Sequence, residues 1–173
     1  MPLVLNGTTG VQDNSGAFVL GTSVASTSGT SIDFTSIPSW VKRITVMFNN
    51  LSTNGTSPRQ IQLGTSGGVE ASGYTSSGFG WTGGVNGLSS TTGILIDGQT
   101  PDSSKAYNAV MTINNFGSNT WVCSSLIAAT SGSVSQFMAT GAKTLSGTLD
   151  RIRITTVNGT DAFDAGSINI LYE

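Results

Sequence analysis

Residues 149–173, "LDRIRITTVNGTDAFDAGSINILYE", contain two strand-like runs separated by a turn rich in Asn, Gly and Asp. In the first run apolar residues alternate with Arg151 and Arg153, which is the two-residue period of a β-strand. The two runs are therefore either consecutive strands or the two ends of one crossing. In the second run the alternation predicts that three side chains fill the core: Ile168, Ile170 and Tyr172.

The same alternation recurs along the chain, for example in "WVKRITVMFNN" (residues 40–50) and "KAYNAVMTINNF" (residues 105–116). Asn-Gly pairs, which favour type I′ turns, occur at four places: Asn6-Gly7, Asn54-Gly55, Asn86-Gly87 and Asn158-Gly159. β-branched and aromatic residues predict further strands at 17–25, 31–35, 59–64, 69–76, 93–97, 120–129, 133–140 and 166–172. No long window has a helical period. We therefore predict an all-β fold, an antiparallel β-sandwich that is jelly-roll-like.

The composition is unusually poor in charge. Charged residues make up 9% of the chain, against about 25% in ordinary globular proteins, and the net charge is −2. Such a surface repels its neighbours weakly, which favours a protein that packs against others. No basic patch could hold a nucleic acid, and no stretch is long enough to insert into a membrane. Cys123 lies in an apolar run, which predicts a buried thiol.

The first 29 residues contain little that could form a core alone. We predict that residues 1–29 are an extended N-terminal arm and that residues 30–173 form a single sandwich domain. Leu3, Val4 and Leu5 are the candidates for docking on a partner, by adding a strand to its edge. The alternative is that this segment is the first strand of the sandwich with a frayed start.

Two arginines are candidates for contacts between subunits. Arg43 and Arg153 fall on the outward side of their predicted strands. They either serve as ordinary exposed charges or pair with carboxylates of another copy, such as Asp150 or Glu173. The sequence leaves these alternatives open.

Residues suited to catalysis are few. The chain has no His, which excludes Ser-His-Asp and Cys-His nucleophile systems and His-ligated zinc. Asp161 and Asp164 are the carboxylates closest in sequence, and local hydrogen bonding in their Gly-bounded turn is the simpler interpretation. A small carboxylate-based glycan hydrolase is kept as a distant alternative. We expect no enzymatic activity, no metal and no cofactor.

A loop with weak strand periodicity is predicted at residues 65–93, and it carries Tyr74, Phe79 and Trp81 among Gly and Ser. Exposed aromatic rings in such a loop suit stacking on sugars or anchoring of a protein contact. These three residues are therefore candidates for ligand or receptor contact. The alternative is that Phe79 and Trp81 turn inward, capping the core or filling a trimer axis.

The run "SIDFTSIPSWVKRITVMFNNLSTNGTSPRQIQLGTSGGVEASGYTSS" (residues 31–77) resembles a module of tailed-bacteriophage virion proteins. The ending "FDAGSINILYE" is similar to the close of that module, and the opening "MPLVLNGTTG" is similar to the start of many phage tail-fibre chains. The resemblance covers roughly residues 30–173 and the first ten residues. The resemblance implies a β-rich structural protein, often a homotrimer, exposed on the virion surface and made in the bacterial host cytoplasm. It implies no catalytic residues.

The resemblance leaves two functions open. The first is a tail-fibre or receptor-binding module that contacts a host cell-surface glycan or protein. The second is a capsid-decoration protein, a head fibre or cement that clamps the shell. In either case other virion proteins, of the capsid or the tail, are the expected partners. A fibre tip should carry exposed aromatics on distal loops, whereas a decoration protein should carry an apolar footprint that includes Leu3 to Leu5.

Overall fold

A computed structural model describes residues 18–81, 85–130 and 135–173, together with the backbone of residues 5–6 and 10–11. The fold is all-β, with 60% of residues in strands and no helix in the described part. All of the strand pairs are antiparallel, which confirms the predicted antiparallel β-sandwich class. The jelly-roll connectivity stays a prediction.

The described residues form sixteen strands. They are β1 (Leu5–Asn6), β2 (Gly10–Val11), β3 (Val19–Leu20), β4 (Val24–Ala25), β5 (Ser31–Phe34), β6 (Arg43–Thr53), β7 (Arg59–Thr65), β8 (Gly68–Val69), β9 (Tyr74–Trp81), β10 (Val85–Ser90), β11 (Ile94–Leu95), β12 (Tyr107–Gly117), β13 (Thr120–Ala129), β14 (Gln136–Thr144), β15 (Arg151–Thr156) and β16 (Phe163–Tyr172). The region predicted as a loop at residues 65–93 is in fact largely the hairpin β9–β10, whose Ser- and Gly-rich strands hide the apolar period.

Two sheets of unequal breadth carry the fold. The large sheet has nine strands in the order β10-β9-β14-β13-β12-β6-β16-β3, with β4 also on β16. The small sheet has the order β11-β7-β15-β5, with β8 on β7. Strands β15 and β16 lie in different sheets, so residues 149–173 are the two sides of one crossing between the layers. β1 and β2 pair with each other alone.

A single apolar core fills the space between the sheets. Ile61, Leu63, Ile152 and Ile154 point into it from the small sheet, and all four are fully buried. Ile168 and Ile170 of β16 are buried as predicted, and so is Cys123 of β13. Tyr172 is only partly buried and packs against the core, with its ring centroid 6.1 Å from that of Trp40.

Part of the predicted arm belongs to the sheet edge. β3 and β4 pair with β16, where Leu20 lies opposite Leu171 and Val24 opposite Ile168. The hydroxyl of buried Ser26 donates to the carbonyl oxygen of Ala165 at 2.9 Å. Residues 19–25 therefore form edge strands of the large sheet, as the alternative for this segment described.

Asn54-Gly55 and Asn158-Gly159 lie between strands, as the Asn-Gly prediction requires, but two other places differ from it. Ser118 and Asn119, which join β12 and β13, both have positive φ (48° and 60°), as a type I′ turn requires. Asn86-Gly87, by contrast, lies inside β10, opposite Gly80 and Phe79, so the turn predicted there is wrong. Since β9 pairs with β10 over six residues, the ladder satisfies the backbone of this pair.

Glycines in "SSGFGW" bring two segments unusually close. A Cβ on Gly78 would lie 2.7 Å from the Cβ of Ala139, and one on Gly80 would overlap the ring of Phe137. Gly98 approaches β9 so closely that a Cβ there would overlap the backbone of Phe79. These glycines allow close packing of residues 96–101 under β9.

We predict that Gly98→Ala destabilises the fold by about 1–3 kcal/mol, because backbone of β9 must shift to admit the methyl group. Gly147→Ala is the matched control, since its Cβ would meet only the Thr65 methyl group at 3.6 Å. Urea unfolding measures both free energies. Equal stability of the two variants would show that the contact between Gly98 and β9 is not tight.

Candidate functional site

Four neighbouring strands of the large sheet bring apolar side chains into one row on the outer face. Phe79 lies opposite Met138, Met138 opposite Leu126, and Leu126 opposite Val110. The row continues to half-buried Met47 on β6. The first four residues expose about half of their surface each: Phe79 53%, Met138 50%, Leu126 59% and Val110 49%. We call these five residues the apolar stripe.

A second row of hydroxyl groups runs beside the apolar stripe. It consists of Ser77, Thr140, Ser124, Thr112 and Thr45, again in direct register. Thr112 and Ser124 share a hydrogen bond of 3.1 Å, and Thr140 donates to the Cys123 carbonyl oxygen at 2.9 Å. The hydroxyls are therefore at least partly satisfied within the sheet, and the outer face presents them beside apolar groups.

The described outward residues of β9, β12, β13 and β14 include no charged side chain. The outer face of the small sheet differs, because its corresponding row is Gln62, Arg153 and Asp33. The Arg153 guanidinium donates to both Asp33 carboxylate oxygens, at 2.8 and 2.7 Å. The small sheet thus has a polar, charged outer face, whereas β9, β12, β13 and β14 of the large sheet form a neutral face with an apolar centre.

Shallow hollows mark the neutral face. One of about 310 Å³ lies between Phe79 and Met138 and is floored by small residues of β9, β13 and β14. A wider one of about 520 Å³ adjoins it and is lined mainly by Ser and Thr of β9, β10 and β14. Both hollows could receive side chains of a partner.

The three aromatic candidates for ligand contact do not lie on the same face of β9. Phe79 and Trp81 point outward, and Trp81 is 59% exposed in the described chain, so neither caps the core. Tyr74 is only 2% exposed, and its prediction as a surface contact is wrong. Its position on β9 alternates with the outward residues, which directs the ring to the interior.

Tyr74 instead holds together three segments. Its hydroxyl accepts from the Leu63 backbone N–H at 2.7 Å and donates to the Glu70 carbonyl oxygen at 2.7 Å. Burial raises the pKa of this phenol. The buried Lys143 ammonium lies 5.4 Å from the Tyr74 ring and 2.7 Å from the Glu70 carboxylate. The cluster is a structural tie between the two sheets.

Both arginine candidates find a carboxylate within their own chain. Arg43 pairs with Glu173, whose backbone also bonds to that of Arg43. Arg153 pairs with Asp33 on the neighbouring strand. Neither pair requires a second subunit, and the inter-subunit role of Arg43 and Arg153 stays a prediction. Leu3, Val4 and the side chain of Leu5 lie outside the described residues.

A buried ion pair was not found by sequence reasoning. The Arg59 guanidinium donates to both carboxylate oxygens of Asp97, at 2.8 and 2.6 Å, and both residues are almost fully buried. Asp97 also accepts from the Arg59 backbone N–H, and the guanidinium carbon lies 4.3 Å from the Tyr107 ring centroid. Because water cannot reach the pair, it is suited to holding residues 96–101 in place and not to catalysing a reaction.

The carboxylates considered for catalysis have local partners. Asp161 accepts from the Ser57 backbone N–H at 2.9 Å and from the Asn158 amide at 2.6 Å, as expected for a turn. Asp164 is exposed on β16.

In the described part of the chain no group of three or more His, Cys, Asp or Glu could hold a metal ion. That part also has no helix long and apolar enough to cross a bilayer.

Comparison with known proteins finds no matching family model and no matching curated protein.

We predict that Asp97→Asn lowers the free energy of unfolding by about 3–5 kcal/mol, because it leaves the Arg59 charge buried and unpaired. Asp33→Asn is the matched control, since it breaks an ion pair in which both side chains are more than a third exposed. We expect the control to cost only about 0.2–1 kcal/mol. Chemical denaturation measures both, and a similar small loss for the two variants would contradict the structural role of the buried pair.

We also predict that Glu70 contributes to the free energy of unfolding and that this contribution is lost in acid. Burial alone would raise the pKa of this carboxyl, but hydrogen bonds from Lys143 and Ser146 outweigh it and lower the pKa from 4.5 to about 2. The depressed pKa contributes stability that is fully present above pH 4.5 and lost as the pH falls toward 2. Unfolding free energies measured across this range should fall more steeply for the wild type than for Glu70→Gln.

Asp164→Asn controls for the change in net charge, because Asp164 is an exposed carboxylate on β16, away from Glu70. It should keep the steep wild-type dependence. A Glu70→Gln profile that runs parallel to the wild type would refute the assignment.

Proposed function

We propose that the protein is a non-enzymatic structural component of a tailed-bacteriophage virion, exposed on the particle surface as a tail-fibre or receptor-binding module. The resemblance of residues 30–173 to such a module supports the virion part of the proposal. The all-β sandwich is consistent with it. The observation that carries the contact function is the position of Trp81.

Trp81 lies at the end of β9, where residues 82–84 connect to β10. It is opposite Gln136, the first residue of β14, so Trp81 lies at the end of the large sheet where β14 begins. A half-exposed indole beside an amide offers a flat apolar surface with hydrogen-bonding groups next to it. This combination suits stacking on a sugar ring or anchoring of a protein contact.

The partners that follow are other virion proteins, of the capsid or the tail, and a host cell-surface glycan or protein. A homotrimer is the assembly that the resemblance implies. The virion surface is then the working location, after synthesis in the bacterial host cytoplasm.

Capsid decoration is the second candidate function. It is favoured by the apolar stripe, because the exposed apolar surface lies mostly on a flat sheet face and not on distal loops. A broad flat face suits contact with another protein more than capture of a small glycan. The candidate docking residues Leu3, Val4 and Leu5 belong to this alternative.

We predict that the purified protein competes with phage particles for adsorption to host cells and that Trp81→Ala loses this competition. Thermal unfolding of the variant should change little, because more than half of the side chain is already exposed. Phe116→Ala is the matched control: Phe116 is 81% exposed but lies at the opposite end of the sheet, next to the β12–β13 turn. The control should compete like the wild type.

Two results would contradict the receptor-binding proposal. One is full competition by Trp81→Ala. The other is a wild-type protein that does not compete at all but binds to capsids, which is the result that the decoration alternative predicts.

A further inference from the structure

The outer face of the large sheet that carries the apolar stripe has the composition of a surface that contacts another protein. Four exposed side chains of the apolar stripe lie in an unbroken row, one on each of the adjacent strands β9, β14, β13 and β12. At about 4.8 Å between strands, the five-residue stripe is about 19 Å long. Scattered exposed apolar residues are ordinary on a monomer, but a contiguous apolar row is typical of an interaction surface.

We propose that this face, formed by β9, β14, β13, β12 and β6, is the surface on which a second copy of the same chain packs. The inference does not rest on the virion proposal, since it concerns the purified protein alone.

The area of the face meets the requirement of a stable interface. Its five strands are together about 24 Å wide, and with strands of 8 to 11 residues the face is about 30 Å long, with Trp81 and Phe116 at its opposite ends, on the rim. It therefore covers about 700 Å² per copy, or about 1,400 Å² in total, within the range of about 1,200–2,000 Å² for specific interfaces.

The lack of unpaired charge suits a copy of the same chain as the partner. In a two-fold symmetric pair the same face of both copies meets, so a face with an unpaired charge of one sign would repel itself. The described outward residues of β9, β12, β13 and β14 carry no charge, and the one charge among those of β6, Arg43 at its first residue, is paired with Glu173. The hydroxyl row beside the apolar stripe contains both donors and acceptors, and can therefore bond to an identical row. The small sheet, with its Arg153–Asp33 row, lacks this neutrality.

Sedimentation of the wild type and of single variants tests the proposal. Val110→Glu and Leu126→Glu place a carboxylate in the centre of the face, where packing of a copy would desolvate it without a cation. Val157→Glu is the matched control, because Val157 is a valine of similar exposure (43% against 49%) that lies between β15 and β16, away from the face. Circular dichroism checks that each variant is folded.

We expect the wild type and Val157→Glu to form the same multimer at micromolar concentration. Val110→Glu and Leu126→Glu should raise the dissociation constant at least about tenfold. A wild type that is monomeric at 100-fold higher concentration overturns the proposal, and so does a multimer that all three variants retain.

A measurement on the wild type covers the case in which the variants do not fold. Hydroxyl-radical oxidation of exposed Met138 should slow as protein concentration rises into the range where the multimer forms. Fully buried Met111 on β12 gives the unreactive baseline. A Met138 oxidation rate that is the same for monomer and multimer would place the interface elsewhere.

Discussion

The alternation of side chains along paired strands is the constraint on which the rest of this structure depends. It sends Ile152, Ile154 and Ile168 into one core between two sheets, and it sends the intervening residues outward with equal strictness. Because the large sheet is continuous over β9, β14, β13, β12 and β6, outward residues from distant parts of the chain meet in rows. The apolar stripe, the hydroxyl row and the charged row of the small sheet are all products of this rule.

The fold class and much of the core could be predicted from the sequence, because a period of two is a local signal. Burial of Ile168 and Ile170 followed directly from it, and burial of Cys123 from the apolar run in which it lies. The apolar stripe could not be predicted, because its residues are spread from Met47 to Met138 and meet only through strand order and register. The Arg59–Asp97 pair was missed for the same reason, since 38 positions separate its members.

The wrong predictions arose where residue type alone was used, without knowledge of which strands pair. Tyr74 and Trp81 are both aromatic residues among Gly and Ser, yet they lie on opposite faces of β9, one buried and one exposed. Asn86-Gly87 has strong turn preference, but pairing with β9 places it in a strand. Gly78 and Gly80 lie in the region predicted as a loop, whereas their structural role, like that of Gly98, is close packing.

The low charge of the chain is best explained by where its few charges lie. Most of those described pair within the chain, as in Arg59–Asp97, Lys143–Glu70 and Arg153–Asp33, and the described outward residues of β9, β12, β13 and β14 carry none. The central claim is that this face is covered by protein in the working assembly. A cryo-EM map of the assembled particle, or of the purified multimer, tests it most directly. The account predicts that Val110, Leu126 and Met138 of each copy are buried against another copy, and a map in which they face solvent would contradict it.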